Sequence, residues 1–470
     1  MIFLRKYGVH IIGLLIFLGT LSLPNALSWQ QTQFLAIFFW VVFYWLFSSI
    51  PLYAVGLLGV SLSAIFELAP ASQIFSSFGH PIIFLFLGGF LLAKAFAHSQ
   101  LDKRMSLFLL TRRIIKGSIA RLIFAMMALT CILTMWISNT ATTAMMLPII
   151  LGTLQSLKIN DKKTISLILL SIAYSASIGG IATPIGSTPN LIAIGMLERL
   201  SNIQVSFLEW MLYCFPLALI FLSALYIIIY HQLKMENIKF ENDYLMKQFR
   251  SLPPISLAEK YTFSLFIVTV FLWILPSIFK LFDYKPPFDL NSGAVVMLTA
   301  SMLFLVPFSK QQKLLQSHHI KTIDWSSLLL FGCGLALGQL LFELGLAKIA
   351  GDTLISYVSE LPLFLILLLI FSFVIFSTEL TSNTASANIL LPIMISMAPQ
   401  LNFNPFYLSL GIAIACSMAF MLPVATPPNA IVYGSEKIDK KQMLTLGLKL
   451  NIIISFLLAG LIYCYNFFKL

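Results

Sequence analysis

Two short polar runs interrupt an otherwise apolar chain, Ser138-Asn139-Thr140 and Ser382-Asn383-Thr384. Each is followed by alanine and leads at the same spacing into a Leu-Pro-Ile, at Leu147-Pro148-Ile149 and Leu391-Pro392-Ile393. Hydroxyl and amide groups set in apolar surroundings cost free energy unless something bonds to them. Serine and threonine hydroxyls donate or accept, and the asparagine amide does both. Two copies imply that two parts of the chain build one site.

A second pair of signals lies downstream. One stretch reads Gly179-Gly180, then Thr183-Pro184-Ile185-Gly186-Ser187-Thr188-Pro189-Asn190; the other reads Pro423, then Ala425-Thr426-Pro427-Pro428-Asn429. Prolines remove backbone donors and glycines relax the helix, so both stretches should unwind midway. Unwinding frees carbonyl oxygens for a hard cation such as sodium, and frees N–H groups at the following half-helix for an anion. The Ser-Asn-Thr runs also suit helix N-caps, which would aim two positive helix ends at one point. A carboxylate substrate could be held that way without a buried lysine or arginine. No basic residue lies in these cores.

The rest of the chain must hold these runs at membrane depth. Hydrophobic residues make up 59% and charged residues 10%, with a mean hydropathy of +0.93. A soluble globule carries about a quarter charged residues, so the composition specifies an all-α polytopic membrane protein. Apolar stretches beginning near Val9, Gln33, Leu52, Pro81, Thr164, Glu209, Tyr261, Ser292, Ser326, Pro405 and Leu444 give about eleven crossings of a 30 Å core. Residues 119–150 and 363–395 carry the Ser-Asn-Thr runs in their middles and read as two re-entrant hairpins. Non-helical backbone at that depth is tolerable only against protein or a water-filled cavity.

The net charge of +11 reads as cytoplasmic lysines and arginines, not as a nucleic-acid footprint. With the N-terminus inside and the hairpins not crossing, most basic residues fall on the cytoplasmic side, among them Lys103, Arg104, Lys162, Lys163, Lys440 and Lys441. The C-terminus then lies outside. Arg5 and Lys6 precede the first apolar run, which reads as an uncleaved span.

The duplication extends further. Phe86 and Gly89 match Phe331 and Gly334; Pro189-Asn190, Ile192 and Gly195 match Pro428-Asn429, Ile431 and Gly434. An odd number of crossings separates the copies, so they are inverted, a secondary-transporter architecture. The expected partition is a scaffold from 1–117 and 232–355 and a transport unit from 118–231 and 356–470. Residues 104–121, with Leu107, Leu110, Ile114 and Ile115 against Arg112, Arg113 and Lys116, read either as an amphipathic interfacial helix or as a solvated basic loop.

Several side chains have two readings. Glu379, the one charge in the second hairpin, either serves a cation or proton pathway or bonds hairpin backbone donors. His80 and His318-His319 read as structural or solvated. The five cysteines lie in apolar runs without CxxC spacing and read as reduced, packed residues. His-Glu-x-x-His, Gly-x-Ser-x-Gly and the phosphate-cradling Gly-x-x-x-x-Gly-Lys are absent, so neither an enzyme nor an ATP-driven pump is expected.

The segments Trp136-Ile137-Ser138-Asn139-Thr140-Ala141-Thr142 and Thr378-Glu379-Leu380-Thr381-Ser382-Asn383-Thr384, with the two Pro-Asn motifs, resemble the divalent-anion:sodium symporter family. That family includes sodium-coupled dicarboxylate, citrate and sulfate transporters. The resemblance implies a homodimer whose protomers carry a scaffold and a mobile transport domain working as an elevator. It implies substrate contacts from Ser138, Asn139, Thr140, Ser187, Ser382, Asn383, Thr384 and Pro427. A first sodium site would use Thr134, Ser138, Asn139 and the Gly186 backbone; a second would use Thr378, Thr381, Asn383 and the Ala425 backbone. Thr188 and Ala387-Asn388 depart from the family pattern, which bears on substrate preference. The resulting expectation is sodium-coupled symport of a C4-dicarboxylate such as succinate, malate or fumarate across the plasma or inner membrane. Symport of sulfate or another divalent oxyanion, and sodium-independent dicarboxylate exchange, are the rivals.

Overall fold

A computed structural model describes residues 2–22, 27–115, 117–233, 243–306 and 313–468. Lys116, expected in the basic segment, lies outside the described residues, as do the side chains of Arg5, Lys6 and Ile114. The described residues form helices and no strand. A helix covers each of the eleven expected spans. Among the described residues, eight helices are long and apolar enough to cross a membrane. Gly8–Ser22, Leu52–Ile65, Ser292–Met302 and Pro405–Ser417 are shorter apolar helices. The eight include Asn383–Leu401, which the sequence placed in a half-crossing arm; its return leg is longer than expected.

Both hairpins form. The first joins Ile119–Thr134 to Asn139–Ser156, and the second joins Leu363–Thr378 to Asn383–Met397. Each expected broken span is two helices with a gap: Lys162–Gly180 then Thr188–Ser201, and Pro405–Ser417 then Pro427–Tyr433. Pro189, Pro427 and Pro428 sit in the first turn of the second helices, where a missing N–H costs nothing, and Pro184 and Pro423 lie in the gaps themselves.

The two halves interlock. Thr188–Ser201 packs on Asn383–Met397 and Pro405–Ser417 from the other half. Pro427–Tyr433 packs in return on Asn139–Ser156 and Lys162–Gly180. Each broken span thus delivers its second segment to the opposite hairpin, which draws both tips together.

Three expectations change. The amphipathic segment is not one helix: Leu101–Leu110 is helical, a 3-10 turn covers Arg113–Ile115, and Ile119 starts the next helix at its Ser118 cap. Leu107 and Leu110 point into the core, so a continuous amphipathic stripe has no surface to lie on. Four cysteines are buried as expected, but Cys464 is exposed. Finally, matched glycines have unlike surroundings. Gly89 faces Ile185, whereas a Cβ on Gly334 would lie 1.9 Å from Asn388 Oδ1.

Candidate functional site

A cavity of about 550 Å³ lies between the hairpin tips and the breaks. Ser138, Asn139, Thr140, Ser187, Ser382, Asn383, Thr384 and Pro427, the residues expected at substrate, all line it. Of the residues expected around cations, Gly186, Thr381 and Ala425 also line it, while Thr134 and Thr378 are fully buried behind the wall. Phe86, Phe90 and Trp136 form an apolar side, and Asp324 and Ser327 lie at one lip. Among the described lining residues the charged ones are Asp324 and Glu379, both acidic.

Ser138 and Ser382 are N-caps whose hydroxyls make no capping bond. Other caps do bond: Ser118 accepts from the Arg121 N–H, Asp161 from Thr164 and Thr426 from Asn429, whereas Ser187, the cap of Thr188–Ser201, makes no capping bond. A helix start leaves several N–H groups without intrahelical partners. At both tips these groups and an uncommitted hydroxyl are available to a ligand, an arrangement suited to anions.

The first tip meets the first break at very close range. A Cβ on Gly186 would lie 2.5 Å from the Gly180 carbonyl oxygen and 3.0 Å from that of Thr134. One on Gly180 would lie 2.9 Å from Asn139 Oδ1 and 3.0 Å from the Gly186 carbonyl oxygen. Asn139 Oδ1 is buried with no hydrogen-bond partner. An orphaned amide oxygen amid converging carbonyls is a set of hard oxygen donors that a small cation would satisfy. The Thr134 hydroxyl donates within its own helix, to the Thr130 or Cys131 carbonyl. Its carbonyl oxygen is thus the free donor here.

The second tip is bonded internally. Thr378 Oγ1 lies 2.8 Å from Asn383 Oδ1 and 3.0 Å from the Cys416 carbonyl oxygen. Thr381 Oγ1 bonds the Ser377 carbonyl and the Ser386 hydroxyl. The same donor types are present, but they are engaged with one another. Between the halves, Ser187 Oγ and Ser417 Oγ lie 2.9 Å apart.

Both breaks are stapled. Asn190 Nδ2 donates to the carbonyls of Gly180 (2.9 Å) and Thr183 (2.8 Å), and Trp210 Nε1 donates to that of Ile181 (3.0 Å). Asn429 Nδ2 donates to the carbonyls of Ala419 and Leu422, both at 3.1 Å. The sequence showed these asparagines as repeat markers and gave them no role.

Glu379 does bond backbone donors, but those of the second break and not its own hairpin. It accepts from the Phe420, Met421 and Leu422 N–H groups. His80 caps Pro81–Ser99 and sits 3.7 Å from Glu198. His319 Nδ1 accepts from the Gln316 N–H at 3.0 Å. The sequence also missed Ser417, Phe86, Phe90 and Asp324, which reach the cavity only through packing. Trp136 stands two residues before Ser138, and that proximity to the first tip was the available signal.

Comparison with known proteins identifies the family. The family model described as the sodium:sulfate symporter transmembrane region matches residues 5–468. The chain belongs to this family. It is therefore a multi-pass membrane transporter and not an enzyme. The chain is 34% identical to the sodium-dependent dicarboxylate transporter SdcS of Staphylococcus saprophyticus, over 96% of this chain and 90% of that one. It is 33% identical to SdcS of Staphylococcus aureus over the same shares. Among solved structures, the YdaH transporter of Alcanivorax borkumensis has a TM-score of 0.53 at 12% identity, covering 88% of this chain and 89% of that one. MtrF of Neisseria gonorrhoeae has a TM-score of 0.55 at 12% identity, covering 96% and 97%. Those two likenesses show a shared fold and nothing of substrate.

Proposed function

We propose that this protein is a sodium-coupled symporter of C4-dicarboxylates, such as succinate, malate and fumarate, in the plasma or inner membrane. One observation carries the reading. Two hairpin tips with uncommitted N-caps face one cavity in which every charged side chain among the described lining residues is acidic.

Charge arithmetic explains the coupling. A helix N-terminus supplies about half a positive unit charge, so two tips supply about one. A dicarboxylate brings two negative charges to a site that already holds acids. Co-bound cations make up the difference, which makes substrate binding conditional on them. The first site is assigned to Thr134, Ser138, Asn139 and Gly186, and the second to Thr378, Thr381, Asn383 and Ala425. The names of the SdcS relatives support sodium and a dicarboxylate.

The remaining proposals follow the sequence reading. The N-terminus is cytoplasmic and the C-terminus outside, and the hairpins are re-entrant. On that topology Asp324 lies at the cytoplasmic end of Trp325–Glu343, so the cavity opens inward. Residues 118–231 and 356–470 move as an elevator against a scaffold of 1–117 and 232–355, within a homodimer.

The test is uptake of labelled succinate by proteoliposomes with and without an inward sodium gradient, in competition with malate, fumarate, citrate and sulfate. Sodium-driven uptake inhibited by malate and fumarate, and not by sulfate, supports the reading. Inhibition by sulfate makes it an inorganic-anion symporter. Counterflow indifferent to sodium makes it an exchanger.

A further inference from the structure

Glu379 is 3% exposed, directly follows Thr378, and forms the C-cap of the second hairpin's first arm. Its carboxylate takes four donors from two other elements. Oε1 accepts from Phe420 N (2.6 Å), Met421 N (2.8 Å) and Asn451 Nδ2 (2.7 Å), and Oε2 accepts from Leu422 N (3.0 Å). It has no basic partner among the described ion pairs, which are His80–Glu198 and Arg104–Glu259.

The first half shows what this acid replaces. Four residues before Asn139, where Glu379 stands before Asn383, is Met135. There the tie between tip and break runs the other way: the Thr183 hydroxyl donates to the Met135 carbonyl. The first break keeps its own N–H groups in turns, Ile181 to the Ile178 carbonyl and Ala182 to that of Gly179. The second break leaves the helix at Ser417 and turns three successive N–H groups outward. Buried backbone donors need partners, and Glu379 supplies them. The carbonyls of the same stretch go to Asn429 and, from Phe420, to Tyr174 at 2.6 Å. Residues 419–422 are thereby fastened on both sides.

We infer that Glu379 is the positioning residue of the second cation site, holding the tip that carries Thr378, Thr381 and Asn383 in register with the break that carries Ala425. The inference rests on the function proposed above. Outer-shell partners of this kind are worth about 10- to 100-fold in metal affinity. Removing the tie therefore weakens the cation's hold through the second site, and at saturating sodium the bound cation itself restores the tip and its anion contacts.

The experiment measures labelled succinate binding to purified protein at increasing sodium, then succinate affinity at saturating sodium, for the parent, Glu379→Gln and Asn451→Ala. Melting temperature without ligand checks folding. Glu379→Gln is expected to raise the half-saturating sodium concentration about tenfold or more, with succinate affinity at saturating sodium changed by less than about threefold. Asn451→Ala, which removes one donor and leaves three, shifts the sodium requirement the same way by a smaller factor, and carries the test if Glu379→Gln does not fold. An unchanged sodium requirement in the folded variants overturns the inference. So does an equal loss of sodium and succinate affinity, which marks a general packing defect. A parent protein that binds succinate without sodium instead overturns the proposed function.

Discussion

Asn190 and Asn429 make the same pair of hydrogen bonds at the same sequence offsets. Each amide donates to the carbonyls ten and seven residues upstream, Gly180 and Thr183 in one half, Ala419 and Leu422 in the other. Both side chains are fully buried. The repeat is therefore conserved in hydrogen bonding as well as in residue type. Each Pro-Asn closes the gap that its own prolines open.

Replacing either asparagine by alanine orphans one buried carbonyl, that of Gly180 or Ala419, a loss of about 1–3 kcal/mol for the unsatisfied group, while the Thr183 and Leu422 carbonyls keep the Gly186 and Ala425 N–H groups. Asn190→Ala and Asn429→Ala are each expected to lower the melting temperature of the purified protein. Aspartate is expected not to restore it, because a carboxylate cannot donate to a carbonyl.

Gly186→Ala tests the first cation cradle. The added Cβ would meet two backbone carbonyl oxygens at 2.5 and 3.0 Å, and backbone cannot rotate away. Overpacking of this kind costs about 1–3 kcal/mol. The expected outcome is folded protein whose uptake needs about tenfold more sodium, or fails to saturate.

Two serine caps separate structure from binding. Ser118 accepts from the Arg121 N–H, whereas Ser138 makes no capping bond. Ser118→Ala is expected to lose about 1 kcal/mol of stability and keep its substrate KM. Ser138→Ala is expected to keep its melting temperature and raise KM. Thermal melts paired with uptake kinetics read both.

Gly334 and Asn388 form a tight contact between Trp325–Glu343 and the second hairpin. Asn388 Nδ2 donates to the Leu330 carbonyl at 3.4 Å, and a Cβ on Gly334 would lie 1.9 Å from Asn388 Oδ1. Gly334→Ala is expected to destabilise the protein by about 1–3 kcal/mol through overpacking. Gly334→Ala with Asn388→Ala is expected to recover most of that loss. Additive melting shifts would mean that the two residues do not couple.

The helices, hairpins and breaks were legible because their signals are local: apolar length, glycine and proline position, and a motif written twice. The tips could be placed in one cavity because the duplication implied it. The interlock of the halves was not legible, since packing Thr188–Ser201 on the opposite hairpin leaves no mark in either segment. Glu379 was visible as an oddity, but its donors lie 41 to 72 residues away. The asymmetry between a first tip with an orphaned Asn139 oxygen and a second with Asn383 engaged by Thr378 was also hidden. The Ser-Asn-Thr motif is identical in both, while the residues before it, Met135 against Glu379 and Ile137 against Thr381, and the flanking breaks differ.

The central claim is that one anion is gripped from both halves at once. Sodium-driven uptake of labelled succinate by proteoliposomes containing Asn139→Ala or Asn383→Ala tests it most directly. The account predicts that each folded single variant loses uptake at every sodium concentration tried. Near-normal uptake by both variants would contradict it.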